Sequence, residues 1–92
     1  KKPLFVSESG VADAKDVMRA EYIEGQVRGT WRAIQDGADV RGHMYWSLLD
    51  NYEWALGFEK RFGLVEVDYH TLERRIRPSA YVYKELIEHS RV

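Results

Sequence analysis

Glu8 lies in Phe5-Val6-Ser7-Glu8-Ser9-Gly10, at the end of a short apolar run, and Trp46, Glu53 and Trp54 follow a second such run. Carboxylates set beside tryptophans suit a sugar. An indole offers a flat apolar face to the C–H face of a pyranose, and its N–H can donate to a hydroxyl. An ionised carboxylate accepts hydroxyl hydrogen bonds of the stronger kind, two at a time. Cleavage of a glycosidic bond also needs two carboxyl groups flanking it. A retaining enzyme uses one of them as nucleophile, about 5–5.5 Å from the acid/base.

Taken singly, the same residues carry less. A Glu at a strand end is usually a solvated loop residue, and Trp46 in an apolar stretch is by default a core residue. Asp50-Asn51 reads as a turn or N-cap pair, and Trp31 as structural, on a helix face against the sheet. His43, His70 and His89 lack metal-ligand spacing, so no metal site is expected. Arg74-Arg75-Ile76-Arg77 reads as a charged surface hairpin, and Lys60-Arg61 as the basic half of a salt bridge to a nearby acid.

The elements that position the candidates follow from patterning. Leu4 to Val6 reads as a buried strand and Ser7 to Ala14 as a loop. A helix follows, with Asp13 or Asp16 as candidate N-cap. Its apolar face is Tyr22/Ile23, Val27, Thr30/Trp31 and Ile34, and Gly37 stops it. Gly25 and Gly29 are expected to permit close approach of a neighbouring sheet. Val40 to Trp46 reads as the second strand, so strand, helix and strand make a βαβ unit with parallel strands and a right-handed crossover. Asn51 to Lys60 is a loop. Phe62 to Val67 can pair with Arg74 to Arg77 across residues 68–71. Pro78-Ser79 opens a final helix with Tyr83, Leu86 and Ile87 on one face. In α/β folds functional groups collect at the C-terminal ends of parallel strands, which would bring Glu8, Trp46, Glu53 and Trp54 to one pocket.

Composition narrows the classes. The 92 residues carry a formal net charge of −1, 45% hydrophobic and 32% charged residues, and no Cys. Nothing there favours nucleic acid or an anionic membrane surface, and no apolar run approaches the ~20 residues of a membrane-spanning helix. Without Cys there is no disulfide, thiolate metal site or cysteine nucleophile; a reducing, cytoplasmic compartment fits. Two parallel strands and two helices cannot close a barrel or cover both faces of a parallel sheet. The fold class is therefore α/β, as the end of something larger, with residues 1–92 forming one unit.

The motifs closely resemble the C-terminal part of glycoside hydrolase family 1. They are Leu4-Phe5-Val6-Ser7-Glu8-Ser9-Gly10, Asp36-Gly37-Ala38-Asp39-Val40-Arg41-Gly42, Tyr45-Trp46-Ser47-Leu48-Leu49-Asp50-Asn51-Tyr52-Glu53-Trp54, Gly57-Phe58 and Arg61-Phe62-Gly63-Leu64. Ala12-Asp13 and Arg77-Pro78-Ser79-Ala80 look most like archaeal members. The resemblance implies about strands seven and eight, with their helices, of a TIM (β/α)8 barrel, and a retaining β-glycosidase that needs no cofactor. It places Glu8 on the nucleophile and Trp46 under the −1 sugar. Glu53 falls on the carboxylate for its 4- and 6-hydroxyls, Trp54 on the indole at its 3-hydroxyl, and Phe58 on an aromatic lining that subsite. Ser9 departs from the family's usual Asn. The family's acid/base lies in Asn-Glu-Pro, which this sequence lacks. The implied partners are a β-glycoside substrate and the N-terminal part of the barrel. The alternative is a non-catalytic sugar-binding or fragment-complementation module.

Overall fold

A computed structural model describes residues 2–90. The order is β1 (Leu4–Ser9), α1 (Arg19–Gln35), β2 (Val40–Tyr45), a 3-10 turn at Trp54–Leu56, β3 (Val65–Val67), β4 (Arg74–Ile76) and α2 (Pro78–His89). β1 and β2 pair in parallel and β3 and β4 antiparallel. An isolated parallel bridge between Leu49 and Val65 links the segment after β2 to the hairpin. The expected βαβ unit, the hairpin and the final helix opened by Pro78 are all present.

The first strand is longer than its apolar run. Ser7, Glu8 and Ser9, expected as loop, continue β1, because Ser9 pairs with Tyr45 and its carbonyl accepts the Trp46 N–H at 3.0 Å. The register slips twice. Leu4 and Phe5 face Val40 and Gly42, leaving Arg41 extra on β2; Val6 and Ser9 face His43 and Tyr45, leaving one residue extra on β1 at Ser7-Glu8. An inserted residue bends a strand and re-aims its side chains, and the second irregularity falls on Glu8. β2 ends at Tyr45, one residue short of expectation, and the Trp46–Ser47 peptide is cis.

The helix caps are shared across the chain. α1 begins at Arg19 without a side-chain cap on its boundary residue, Met18. Asp13 reaches forward instead, its Oδ2 accepting the N–H groups of Met18 at 2.7 Å and Arg19 at 3.0 Å. Asp16, the other candidate, serves a different helix. Its carboxylate accepts the Ser79 N–H at 3.0 Å and the Ser79 hydroxyl at 2.7 Å, satisfying the start of α2, and ion-pairs with Arg19. Gly37 does end α1, with φ +103°.

The interior of this chain is more ionic than apolar. Among the described residues Ile23, Leu64 and Val67 are the buried hydrophobic ones, against buried Asp13, Arg19, Ser47, Asp50, Arg77 and Ser79. Asp50 is no turn residue: its carboxylate pairs with Arg77 at 2.8 Å and Arg61 at 3.0 Å and accepts the N–H groups of Gly63 and Val67. Arg61 thus keeps the salt bridge expected of it. Arg77 leaves the exposed Arg74-Arg75-Ile76 strand to pair with Asp50 in the interior, so the basic run is not wholly a surface feature.

Three further expectations change. Gly25 and Gly29 face open space, so neither marks a close approach among the described residues. Trp31 is 61% exposed rather than packed on the sheet. α1 turns Arg19 and Ile23 inward, and Trp31, eight residues beyond Ile23, lies about 80° round the helix, on the rim of a groove between α1 and α2. Of the α2 face, Tyr83 and Leu86 are half-buried and Ile87 is exposed.

Candidate active site

The cleft at the C-terminal ends of β1 and β2 is lined by Glu8, Ser9, Gly10, Trp46, Tyr52, Glu53 and Trp54. Its volume, about 370 Å³, falls within the ~300–1,000 Å³ usual for small-ligand sites. Four of the five residues singled out from sequence therefore meet in one place. Glu8 comes from the bulged end of β1, Trp46 from the residue after β2, and Glu53-Trp54 from the loop that follows.

Two of them touch. The Trp46 Nε1–H donates to Glu53 Oε2 at 3.1 Å, which fixes the indole edge against the carboxylate and leaves the other oxygen of Glu53 for a ligand hydroxyl. The loop holding Glu53 is closed on itself: its N–H donates to the Gly57 carbonyl at 2.8 Å, and the Leu56 N–H donates back to the Glu53 carbonyl at 2.9 Å. Trp54 takes a left-handed φ of +48° and is 83% exposed. Its indole thus stands free at the cleft mouth, as a flat apolar surface must to receive a ligand.

Gly10 brings the two strand ends together. A Cβ there would collide with the Trp46 carbonyl oxygen, so only glycine lets the chain after Glu8 pass the chain at Trp46 so closely.

Phe58 is not in the cleft lining. It packs edge-on against Tyr52, with centroids 5.3 Å apart, and tilted against Tyr69 at 4.7 Å. The Arg61 guanidinium lies over the Tyr69 ring at 4.2 Å. An aromatic row thus runs from the cleft, through Tyr52 and Phe58, to the Asp50 ion cluster. Burial alone would raise the Asp50 pKa, but the Arg77 guanidinium and the Gly63 and Val67 N–H groups outweigh it, holding the carboxyl below its ordinary range. The Glu8 side chain is exposed and makes no hydrogen bond or ion pair among the described residues. Those residues contain no group of three or more His, Asp or Glu side chains able to hold a metal ion.

Arg19 is the support that patterning did not single out. Fully buried, it donates to Tyr45 Oη at 3.0 Å, to the Arg61 carbonyl at 2.7 Å and to Asp16. It ties the loop after β1 to the end of β2. The signal was present as an arginine one turn before Ile23 on the inward row of α1. Tyr22, which periodicity places only on an apolar face, meets Ser9 Oγ with its hydroxyl at 2.9 Å.

The profile described as Glycosyl hydrolase family 1 matches residues 1–92. A β-galactosidase of Saccharolobus solfataricus is 53% identical over 83 residues, covering 90% of this chain and 17% of that protein. Among solved structures, a hyperthermophilic β-glucosidase from Pyrococcus furiosus superposes with a TM-score of 0.93 at 47% identity, over 98% of this chain and 19% of that one. The β-glycosidase from the hyperthermophile Thermosphaera aggregans gives 0.93 at 46% identity, over 98% and 19%. The chain thus spans less than a fifth of the length of each of these relatives.

Proposed function

Because this chain belongs to glycosyl hydrolase family 1, we propose that it supplies about strands seven and eight, with their helices, to the TIM barrel of a retaining β-glycosidase. Glu8 is the nucleophile in this reading. Trp46, Glu53 and Trp54 hold the sugar, and Phe58 backs that subsite through Tyr52. The observation that carries the reading is the meeting of Glu8, Trp46, Glu53 and Trp54 in one cleft where two adjacent parallel strands end.

The chemistry is a double displacement. A Glu8 carboxylate oxygen bonds to the anomeric carbon as the glycosidic C–O bond breaks, and an acid on the opposite side protonates the departing oxygen. Water, deprotonated by that same group, then attacks the anomeric carbon and releases Glu8, with net retention. The acid/base is contributed by residues other than these 92, where no Asn-Glu-Pro occurs. It follows that the chain alone does not turn over glycosides. One further observation supports docking onto a complementary part: Leu4, Phe5 and Met44 of β1 and β2 are all more than half exposed, an apolar surface that a closed barrel would cover.

The test is hydrolysis of an aryl β-glucoside by this chain, by the complete barrel, and by the complete barrel carrying Glu8→Gln. The reading expects activity in the second sample alone. Turnover by the isolated chain would remove the dependence on an external acid, and full activity of Glu8→Gln would remove Glu8 from its role.

A further inference from the structure

We propose that Tyr22 is a positioning residue for Glu8, acting from α1 through the hydroxyl of Ser9; this rests on the reading of Glu8 as nucleophile. The Glu8 side chain is exposed and makes no hydrogen bond among the described residues; the direction of its Cα–Cβ bond is set by the backbone on either side. On the N-terminal side β1 carries an extra residue between Val6 and Ser9, so Ser7 and Glu8 share a single opposing position on β2. On the C-terminal side Ser9 is held three ways. It pairs with Tyr45, its carbonyl accepts the Trp46 N–H at 3.0 Å, and its Oγ meets the Tyr22 hydroxyl at 2.9 Å.

The first two holds come from the neighbouring strand, and only the third comes from the helix layer. Tyr22 is well placed to act as a fixed point. It follows fully buried Arg19 by three residues and precedes fully buried Ile23, and its N–H donates to the Met18 carbonyl at 2.9 Å. Its ring is half-buried and rises from the turn of α1 that carries both fully buried residues of the helix. Asn stands at the Ser9 position in the related motif, and a serine hydroxyl, one bond shorter in reach, finds its partner in the Tyr22 phenol. A nucleophile on a bulge gains rate from being held in its attack geometry, and small misplacements are costly.

Nucleophilic attack can be read directly in the complete barrel. The probe is an aryl β-glucoside with a dinitrophenolate leaving group and fluorine in place of the hydroxyl next to the anomeric carbon. Its oxocarbenium-like transition states are disfavoured, so the glycosyl–enzyme ester accumulates while dinitrophenolate leaves with the bonding electron pair. Peptide mass mapping identifies the labelled carboxylate. Tyr22→Phe and Ser9→Ala should each slow labelling of Glu8 about tenfold, with binding of the probe changed by less than about twofold. The double variant should be no slower than either single one, and Ser9→Thr, which keeps the hydroxyl, should retain the rate.

An unchanged labelling rate in Tyr22→Phe overturns the proposal, as do losses that multiply in the double variant. A smaller labelled fraction at an unchanged rate constant marks lost folded protein and overturns it as well. Labelling of a carboxylate other than Glu8 in the unsubstituted barrel instead defeats the reading of Glu8 itself.

Discussion

Trp46 Nε1 and Glu53 Oε2 lie 3.1 Å apart, so the indole and the carboxylate form one unit rather than two separate features of the cleft. The pair is partly exposed, and its value lies in orientation rather than in stability. Trp46→Phe keeps an apolar face but removes the donor. Steady-state kinetics of the complete barrel on an aryl β-glucoside should show kcat/KM falling about tenfold or more, the size of one hydrogen bond to a charged group, with little change in thermal midpoint. Unchanged kinetics would mean that Glu53 is oriented by something other than Trp46.

Gly10→Ala should damage both stability and activity. The added methyl enters the Trp46 carbonyl oxygen, which is backbone and cannot swing aside. Overpacking of this kind costs roughly 1–3 kcal/mol, and relief must come from parting the ends of β1 and β2 beside Glu8. Denaturant unfolding and kcat should fall together. Gly25→Ala, in open space in mid-helix, should instead stabilise by up to about 1 kcal/mol.

Acid should loosen the structure through Asp50. Its folded pKa is depressed, against its burial, by Arg77 and by the Gly63 and Val67 N–H groups. The unfolded chain therefore takes up the proton first, near the ordinary carboxylate value of about 3.9. The stabilisation is complete above that pH and drains away as pH falls toward the folded value. His43, whose pKa is lowered by burial, acts with the same sign at higher pH, costing stability below about 6.5. Thermal midpoints across pH should show both declines. His43→Gln should flatten the upper one, and Asp50→Asn the lower one from a reduced plateau.

Asp16→Ala should be strongly destabilising, although the residue lies in a loop. It removes the carboxylate that ion-pairs with the fully buried Arg19 guanidinium and unseats Ser79 at the start of α2. Removing one partner of a buried ion pair costs about 3–5 kcal/mol. Glu24→Ala, whose Arg28 pair is exposed at 3.7 Å, should change stability by less than about 0.5 kcal/mol. Equal effects from the two would remove Asp16 from its bridging role.

Periodicity and punctuation in the sequence were enough to locate the βαβ unit, the hairpin and α2, because each rests on local pattern. The cleft was readable too, since Glu8 and Trp46 end adjacent parallel strands and such ends converge. What local pattern could not carry was pairing at a distance. Asp50 looked like a turn residue because its partners, Arg61 and Arg77, come from later segments. Asp16 looked like a cap for the nearest helix and caps the farthest one. Trp31 looked buried because α1 has a broad apolar face, yet its inward row is set by Arg19 and Ile23. Phe58 sits behind Tyr52 because the aromatic row, not the cleft, takes it up.

The bond between Asp16 and Ser79 joins residues 63 positions apart, and this has a consequence for the order in which the chain is made. Ribosomal synthesis delivers Glu8 long before Ser79. Until Ser79 arrives, Asp16 has Arg19 as its partner but no helix start to bind, and the loop after Glu8 lacks its last anchor. Closing so long a loop is entropically costly and is rewarded only when α2 docks. The segment that follows Glu8 therefore gains one of its anchors from a residue translated well after it.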